Sequence, residues 1–185
     1  MSYKFFTLEN IFEDSELEYM NDYILKNYKN EFEYEDKSGY VNYSYGNETD
    51  FSWKQLHKLT PIIEKIVCKK VEPVNPYCRV YFNDAYLNKH IDRDNLEWTL
   101  TVCLGNNLSN DWPLFIEVDG KIIELPNKVG VCYLMEGTKI NHWRDKLICD
   151  ENGYSTHMFL HWENSNTLID IKEETKDEDI LNYPF

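Results

Sequence analysis

The period of the apolar positions changes once along the chain. A short run, Lys4-Phe5-Phe6-Thr7-Leu8, reads as a strand, and then Leu17, Met20, Ile24 and Tyr28 recur at helical steps. That spacing predicts a helix over about residues 14–29, with Asp14-Ser15 at its N-cap and Glu16 and Glu18 in the first turn, where the helix dipole favours acids. A second stripe, Leu56, Leu59, Ile63 and Ile66, predicts a helix over about residues 52–69, on which His57 reads as an exposed or half-buried side chain. Between them, residues 34–50 carry Tyr34, Tyr40, Tyr43 and Tyr45 with Gly39 and Gly46 among polar neighbours. This segment reads as a long surface loop, of the kind that serves as a lid or binding element.

Beyond Pro73 and Pro76 the pattern becomes short β-rich runs separated by turns: Arg79–Phe82, Tyr86–Ile91, Trp98–Leu104, Leu114–Val118, Lys121–Leu125, Val129–Leu134, Ile140–Trp143 and Thr156–Trp162. Asp119-Gly120 between two alternating runs is a strong hairpin signal. Short strands at this spacing, preceded by helices, predict a mainly β protein with flanking helices: a double-stranded jelly roll over about residues 77–163 behind an N-terminal helical buttress. The chain reads as one domain over residues 1–165, followed by an acidic C-terminal tail, 166–185.

Composition narrows the function classes. At 185 residues and 22.2 kDa the chain fits one domain, and folding at that size buries roughly 70% of the extended chain's surface. No apolar run reaches the ~18–20 residues of a membrane span, and Met1–Phe6 lacks the basic and apolar stretches of a secretory signal. With 33 acidic residues against 19 basic the net charge is −14, which repels phosphate backbones and makes nucleic acid an unfavourable partner. The five cysteines, Cys68, Cys78, Cys103, Cys132 and Cys149, form no C-x-x-C pair, so neither a disulfide framework nor a zinc knuckle is indicated, and a reducing, cytoplasmic-type compartment is expected. No G-x-G-x-x-G, P-loop or G-x-S-x-G occurs, so nucleotide-dependent and serine-hydrolase readings have no support.

One constellation carries chemistry. His90-Ile91-Asp92 puts an imidazole and a carboxylate on the same face of an extended segment, and His142 ends another predicted strand. Two histidines and one carboxylate are the facial triad that holds non-haem Fe(II) and leaves coordination positions open. The tripeptide alone is uninformative: with 33 acids in 185 residues and five histidines, about 0.9 H-x-[DE] matches arise by chance. Its surroundings are what carry weight.

Those surroundings resemble the Fe(II)/2-oxoglutarate-dependent dioxygenases, prolyl 4-hydroxylase-like branch, over about residues 75–163. Arg79 to Asp92 is similar to that branch's first metal strand, Trp98 to Gly105 to the family's next strand, Trp112 to Ile116 to its central β region, Asn141-His142-Trp143-Arg144-Asp145 to the second histidine strand of a subgroup that carries His-Trp-Arg there, and Phe159-Leu160-His161-Trp162 to that subgroup's closing strand. The resemblance implies a cupin-like double-stranded β-helix, Fe(II) held by His90, Asp92 and His142, 2-oxoglutarate and O2 as cosubstrates, and Tyr81 as a 2-oxoglutarate contact. It implies hydroxylation of a C–H bond in a peptidyl proline, other peptide side chain or small molecule, with release of succinate and CO2. Asp92 in the carboxylate position argues against the halogenase variant, which leaves that position to chloride.

There is one departure. The family places Arg or Lys about ten positions after the second histidine to pair with the distal carboxylate of 2-oxoglutarate, and Cys149 to His157 contains neither. Arg144, Arg93 and His157 are the substitutes, and Arg144 is favoured because on a strand it points to the same side as His142. In the alternative role Arg144 forms a salt bridge with a neighbouring acid such as Asp145. His161 reads as a structural core or surface histidine, Trp143 and Trp162 as packing residues, and Ser155 and Thr156 as optional donors. Because of the departure, a cupin-like metal-binding jelly roll without 2-oxoglutarate stays as an alternative; a non-enzymatic interaction domain with a degenerate site is the third reading, and the intact triad speaks against it.

Overall fold

The computed structural model describes residues 4–35 and 41–165, so the acidic tail lies outside the described residues. In chain order the elements are β1 (Phe5–Leu8), α1 (Asp14–Glu31), β2 (Glu33–Glu35), β3 (Val41–Asn47), α2 (Asp50–Val67), β4 (Val71–His90), β5 (Trp98–Asn106), β6 (Leu114–Val118), β7 (Lys121–Leu125), β8 (Cys132–Glu136), β9 (Asn141–Arg144) and β10 (Ser155–Asn164). The pairing order β1-β8-β5-β10-β4-β9-β6-β7, antiparallel throughout, curls into the expected jelly roll.

Strand β4 joins the two halves. Its Tyr81 pairs with Ser155 of β10 on one edge and Ser44 of β3 on the other; further along, Leu87 pairs with Val41 of β3 and Arg144 of β9. So β9 takes over the edge that β10 leaves. What reads as two strands, Arg79–Phe82 and Tyr86–Ile91, is one 20-residue strand. Between them Asp84 adopts a left-handed φ of 71°, and the loop before β10 ties the kink: Asp84 N–H donates to Leu147 O at 2.8 Å, and Leu147 N–H to Ala85 O at 2.7 Å. Pro73 and Pro76 are tolerated because β3 pairs only from Cys78 onward, leaving that stretch of β4 with one edge unpartnered among the described residues.

Both helices stand where the periodicity puts them, with shifted ends. The N-cap of α1 is Glu13, and Asp14 already lies in the first turn; Glu16 reaches back to accept from Glu13 N–H at 3.2 Å. Helix α2 starts two residues early because Thr49 and Ser52 cap it reciprocally, Ser52 N–H to Thr49 Oγ1 at 3.2 Å and Thr49 N–H to Ser52 Oγ at 3.0 Å. Leu17, Met20 and Ile24 of α1 and Leu56, Leu59 and Ile63 of α2 are buried in one core with Val80, Leu100, Leu134 and Trp162. The Trp162 indole N–H donates to Thr60 Oγ1 of α2 at 3.0 Å, so that tryptophan is packing, as expected. His57 is exposed and stacks on Trp53.

The loop expected over residues 34–50 is corrected. Residues 36–40 lie outside the described residues, but β2 and β3 on either side pair with each other, and β3 extends the sheet along β4. On one side Tyr45 meets Tyr28, Tyr34 and Phe82 at ring separations of 5.0, 4.8 and 6.2 Å. On the other side the small residues Ser44 and Gly46 are buried, and a Cβ at Gly46 would stand 2.4 Å from the Tyr77 ring. Small buried residues in place of aliphatic ones hid the strand alternation. The hairpin at Asp119-Gly120 forms as predicted, with φ of 50° and 73°. All five cysteines are free thiols, and among the described residues no helix is long and apolar enough to cross a membrane.

Candidate metal centre

The last residue of β4, His90, pairs directly across the sheet with His142 of β9, which brings the two rings to a 4.3 Å centroid separation. Asp92 follows two residues later. Ile91 between them is 49% exposed, so the alternation that aims His90 and Asp92 inward aims Ile91 out. His90 Nε2 and His142 Nε2 stand 3.7 and 3.6 Å from Asp92 Oδ1, and the three ligand atoms lie within 4.8 Å of one another.

Each of the three candidate ligands is oriented from behind. His90 Nδ1 is 2.7 Å from Asn88 O and His142 Nδ1 is 3.0 Å from Ile140 O, contacts that place the proton on Nδ1 and leave the Nε2 lone pair facing the other ligands. Burial, and then the neighbouring His142, push His90 below its ordinary value, so the neutral, ligating form is favoured. Asp92 Oδ2 accepts from Thr99 Oγ1 at 2.5 Å, and Asp92 N–H donates to Gly137 O at 2.9 Å, which leaves Oδ1 for an ion. A Cβ on Gly137 would lie 2.3 Å from Asp92 Oδ2 and 2.5 Å from Thr99 Oγ1. The donor set, two neutral imidazoles and one carboxylate on one side of an open space, fits Fe(II).

That space is a cavity of about 540 Å³ between the sheets. The triad, Tyr81, Thr99, Thr101 and Phe159 line it, and Asn75, Arg79, Arg93 and His161 reach it from the side of the first strand half and the mouth. Sequence reasoning missed Thr99, Thr101 and Gly137 and gave His161 only a structural role, in the core or at the surface. His161 Nδ1 contacts Asn75 O at 2.9 Å, and burial lowers its pKa. The alternation of β5 and β10 marks Thr99, Thr101, Phe159 and His161 as same-face residues, a signal that becomes readable only once the sheets are known to close on that face.

The residues expected to handle 2-oxoglutarate separate. Tyr81 is buried in the cavity wall, its ring edge-on to Trp112 and His157 at 5.0 and 5.4 Å. Arg144 is only 4% exposed; its Nη1 donates to Trp112 O and its guanidinium lies 4.7 Å from the Trp112 ring centroid. Among the described residues no carboxylate comes within 4.0 Å of it, so it makes no pair with Asp145. Burial pushes it below its ordinary value, though an arginine stays charged. Arg93 is exposed at the mouth, bonded from Nε to Asn95 Oδ1 at 3.1 Å and from Nη2 to Asn75 Oδ1 at 3.5 Å. His157 is buried and held neutral, well below its ordinary value, by burial and by nearby Arg144. Trp143 stacks on Phe115 at 5.6 Å, outside the cavity.

No protein-family model matches the sequence, and no curated protein matches it either. Solved structures do. A Pseudomonas putida prolyl-4-hydroxylase superposes with a TM-score of 0.66 at 11% identity, over 86% of this chain and 92% of that one. The fold is that of the prolyl 4-hydroxylase-like 2-oxoglutarate/Fe(II) oxygenases. A prolyl hydroxylase from Trichoplax adhaerens, in complex with a hypoxia inducible factor peptide fragment, gives a TM-score of 0.65 at 11% identity over 86% and 83% of the two chains. HygX from Streptomyces hygroscopicus, with nickel, 2-oxoglutarate and hygromycin B bound, gives 0.63 at 10% over 86% and 83%. Shared architecture at this identity does not transfer residue roles, so the site has to be argued from its own geometry.

Proposed function

We propose that this protein is a non-haem Fe(II)- and 2-oxoglutarate-dependent dioxygenase that hydroxylates a C–H bond of a peptide or small-molecule substrate and releases succinate and CO2. The observation that carries the reading is the convergence of His90, Asp92 and His142 on one point at the wall of a 540 Å³ cavity, each oriented by a hydrogen bond from behind. Iron bound there supplies activation of O2 at its open positions, coupled to oxidative decarboxylation of 2-oxoglutarate. The chain's own part is to bind and orient. His90 and His142 offer neutral Nε2 donors, Asp92 offers Oδ1, and Thr99 holds the carboxylate's second oxygen. The apolar side chains of Leu87, Leu114, Met135 and Phe159 keep water from the reacting face. Solved structures of the same fold with a peptide and with hygromycin B bound support both substrate classes.

The test is an anaerobic titration of the Fe(II)-loaded protein with 2-oxoglutarate, followed through the weak visible charge-transfer band of bidentate chelation. The band appears if the reading is right. A fully metallated protein that gives no band supports instead the cupin-like alternative, a jelly roll that holds a divalent ion without 2-oxoglutarate. That alternative draws on the lack of Arg or Lys between Cys149 and His157.

A further inference from the structure

The charges that line the cavity run opposite to those of the chain as a whole. Acids outnumber bases by 33 to 19 in the sequence. Among the described residues lining the cavity, the sole acid is Asp92, which belongs to the triad, and two arginines, Arg79 and Arg93, stand against it. A concave wall of low polarisability concentrates the field of such charges, so they and not the net charge set what the cavity draws in. Most of the remaining wall is apolar, with Leu96, Leu114, Met135 and Phe159. A volume of about 540 Å³ lies within the range of small-molecule sites.

Arg93 directly follows Asp92 in the chain and is exposed at the mouth. Its guanidinium is held along one edge: Nε donates to Asn95 Oδ1 at 3.1 Å and Nη2 to Asn75 Oδ1 at 3.5 Å. Asn75 is itself fixed, since its backbone carbonyl meets His161 Nδ1 at 2.9 Å and β4 pairs there with β10, Asn75 opposite His161. Of the N–H donors of the guanidinium, this leaves both on Nη1 and one on Nη2, the two-pronged end that matches a carboxylate. Among the described residues no acid forms an ion pair with it. Arg79 lies on the same face of β4 as Asn75, its guanidinium 4.8 Å from the Tyr77 ring centroid and its Nη1 on Ser44 Oγ at 3.1 Å, and it adds charge of the same sign to that wall.

We infer that the substrate is a small carboxylic acid, its carboxylate taken end-on by Arg93 at the mouth and its apolar body held within the cavity. The inference rests on the oxygenase reading above and names the substrate class of that site. Arg93 is then a specificity residue for the substrate and not an anchor for the cosubstrate. Water at the mouth screens a charge pair, so the contact selects among ligands more than it adds affinity. Two side-chain amides hold the guanidinium before any ligand arrives, which lowers the ordering cost of that contact.

The test uses the full chain loaded anaerobically with Fe(II) and saturating 2-oxoglutarate. Straight-chain acids from butanoate to octanoate, and their primary amides, which match them in shape without the charge, are titrated by calorimetry into wild type and Arg93→Gln. The 2-oxoglutarate charge-transfer band is recorded on the same samples. In wild type the tightest acid is expected to bind about fivefold more strongly than its amide at low ionic strength, and the gap to close in ~0.5 M salt. Arg93→Gln is expected to abolish the preference while amide binding and 2-oxoglutarate affinity change less than about twofold. Arg93→Lys keeps the charge without the fork and is expected to retain part of the preference. A band together with no acid bound more tightly than its amide, or a preference that survives Arg93→Gln, overturns the substrate assignment alone. So does a loss of 2-oxoglutarate affinity in Arg93→Gln that matches the loss for the acids, because Arg93 would then serve the cosubstrate. No band in metallated wild type overturns the oxygenase reading and the substrate assignment with it.

Discussion

Asp92 divides its two oxygens, Oδ2 to the Thr99 hydroxyl at 2.5 Å and Oδ1 to the space between the two imidazoles. Thr99→Val removes the hydroxyl at nearly constant volume, so Fe(II) affinity is expected to fall about 10–100-fold while thermal stability of the metal-free protein changes little. A competition titration with a metal-binding dye measures it. His142→Ala removes one of the three proposed ligands, and iron content after gel filtration is expected to drop from about one per chain to below about a tenth. Retention of full iron in that variant would mean the triad is misassigned. The histidine and aspartate positions were legible in the chain because side-chain alternation is local. Thr99 was not, since its partner Asp92 reaches it only after β5 folds past the end of β4.

At the scale of elements, the turn after β8 matters as much as the strands. Gly137 accepts Asp92 N–H through its carbonyl, and its bare Cα leaves room for the Asp92 and Thr99 side chains. A methyl there also meets Leu96 O at 2.8 Å, a backbone atom that cannot swing aside. Gly137→Ala is therefore expected to cost about 1–3 kcal/mol in chemical denaturation and to weaken Fe(II) binding at least about tenfold. A variant of wild-type stability and metal affinity would show that the turn relaxes freely. The same scale explains two misreadings. Asn83-Asp84-Ala85 resembles a turn that ends a strand, yet Asp84 takes a positive φ and β4 runs on, because Leu147 bonds to both sides of the kink. The tyrosine-rich segment lacks an aliphatic face, yet β3 forms because Ser44 and Gly46 fit under the Tyr77 and Arg79 side chains, and Arg79 Nη1 donates to Ser44 Oγ at 3.1 Å.

Across the whole molecule, a net charge of −14 coexists with a buried cation, Arg144. Total charge bears on encounter with polyanions, whereas the site's preference is set by the few groups that line it. Buried His157 links that interior to pH. Its folded-state pKa is depressed, so below about pH 6.5, the ordinary histidine value, the unfolded chain binds a proton that the folded chain refuses. Stability contributed by neutral His157 is thus present above about pH 6.5 and is lost as pH falls toward the depressed value. Denaturation of the metal-free protein between about pH 7 and 5 is expected to show this slope, and His157→Gln should reduce it by up to about 1.4 kcal/mol per pH unit. An identical slope in the variant would mean the ring takes up its proton without unfolding.

The sequence by itself determined what local geometry determines. Helical spacing located α1 and α2, turn residues set the β6–β7 hairpin, and strand alternation put His90 with Asp92 and His142 with Arg144 on shared faces. Only the tertiary structure decided which of three candidates is buried without a carboxylate partner. Arg93 emerged at the mouth, His157 as a buried neutral imidazole, and Arg144 as a buried cation. Burial is a sum over segments far apart in the chain. The shell around Arg144 draws on β4, β5, the stretch before β6, β8 and β10, and no local periodicity carries that information.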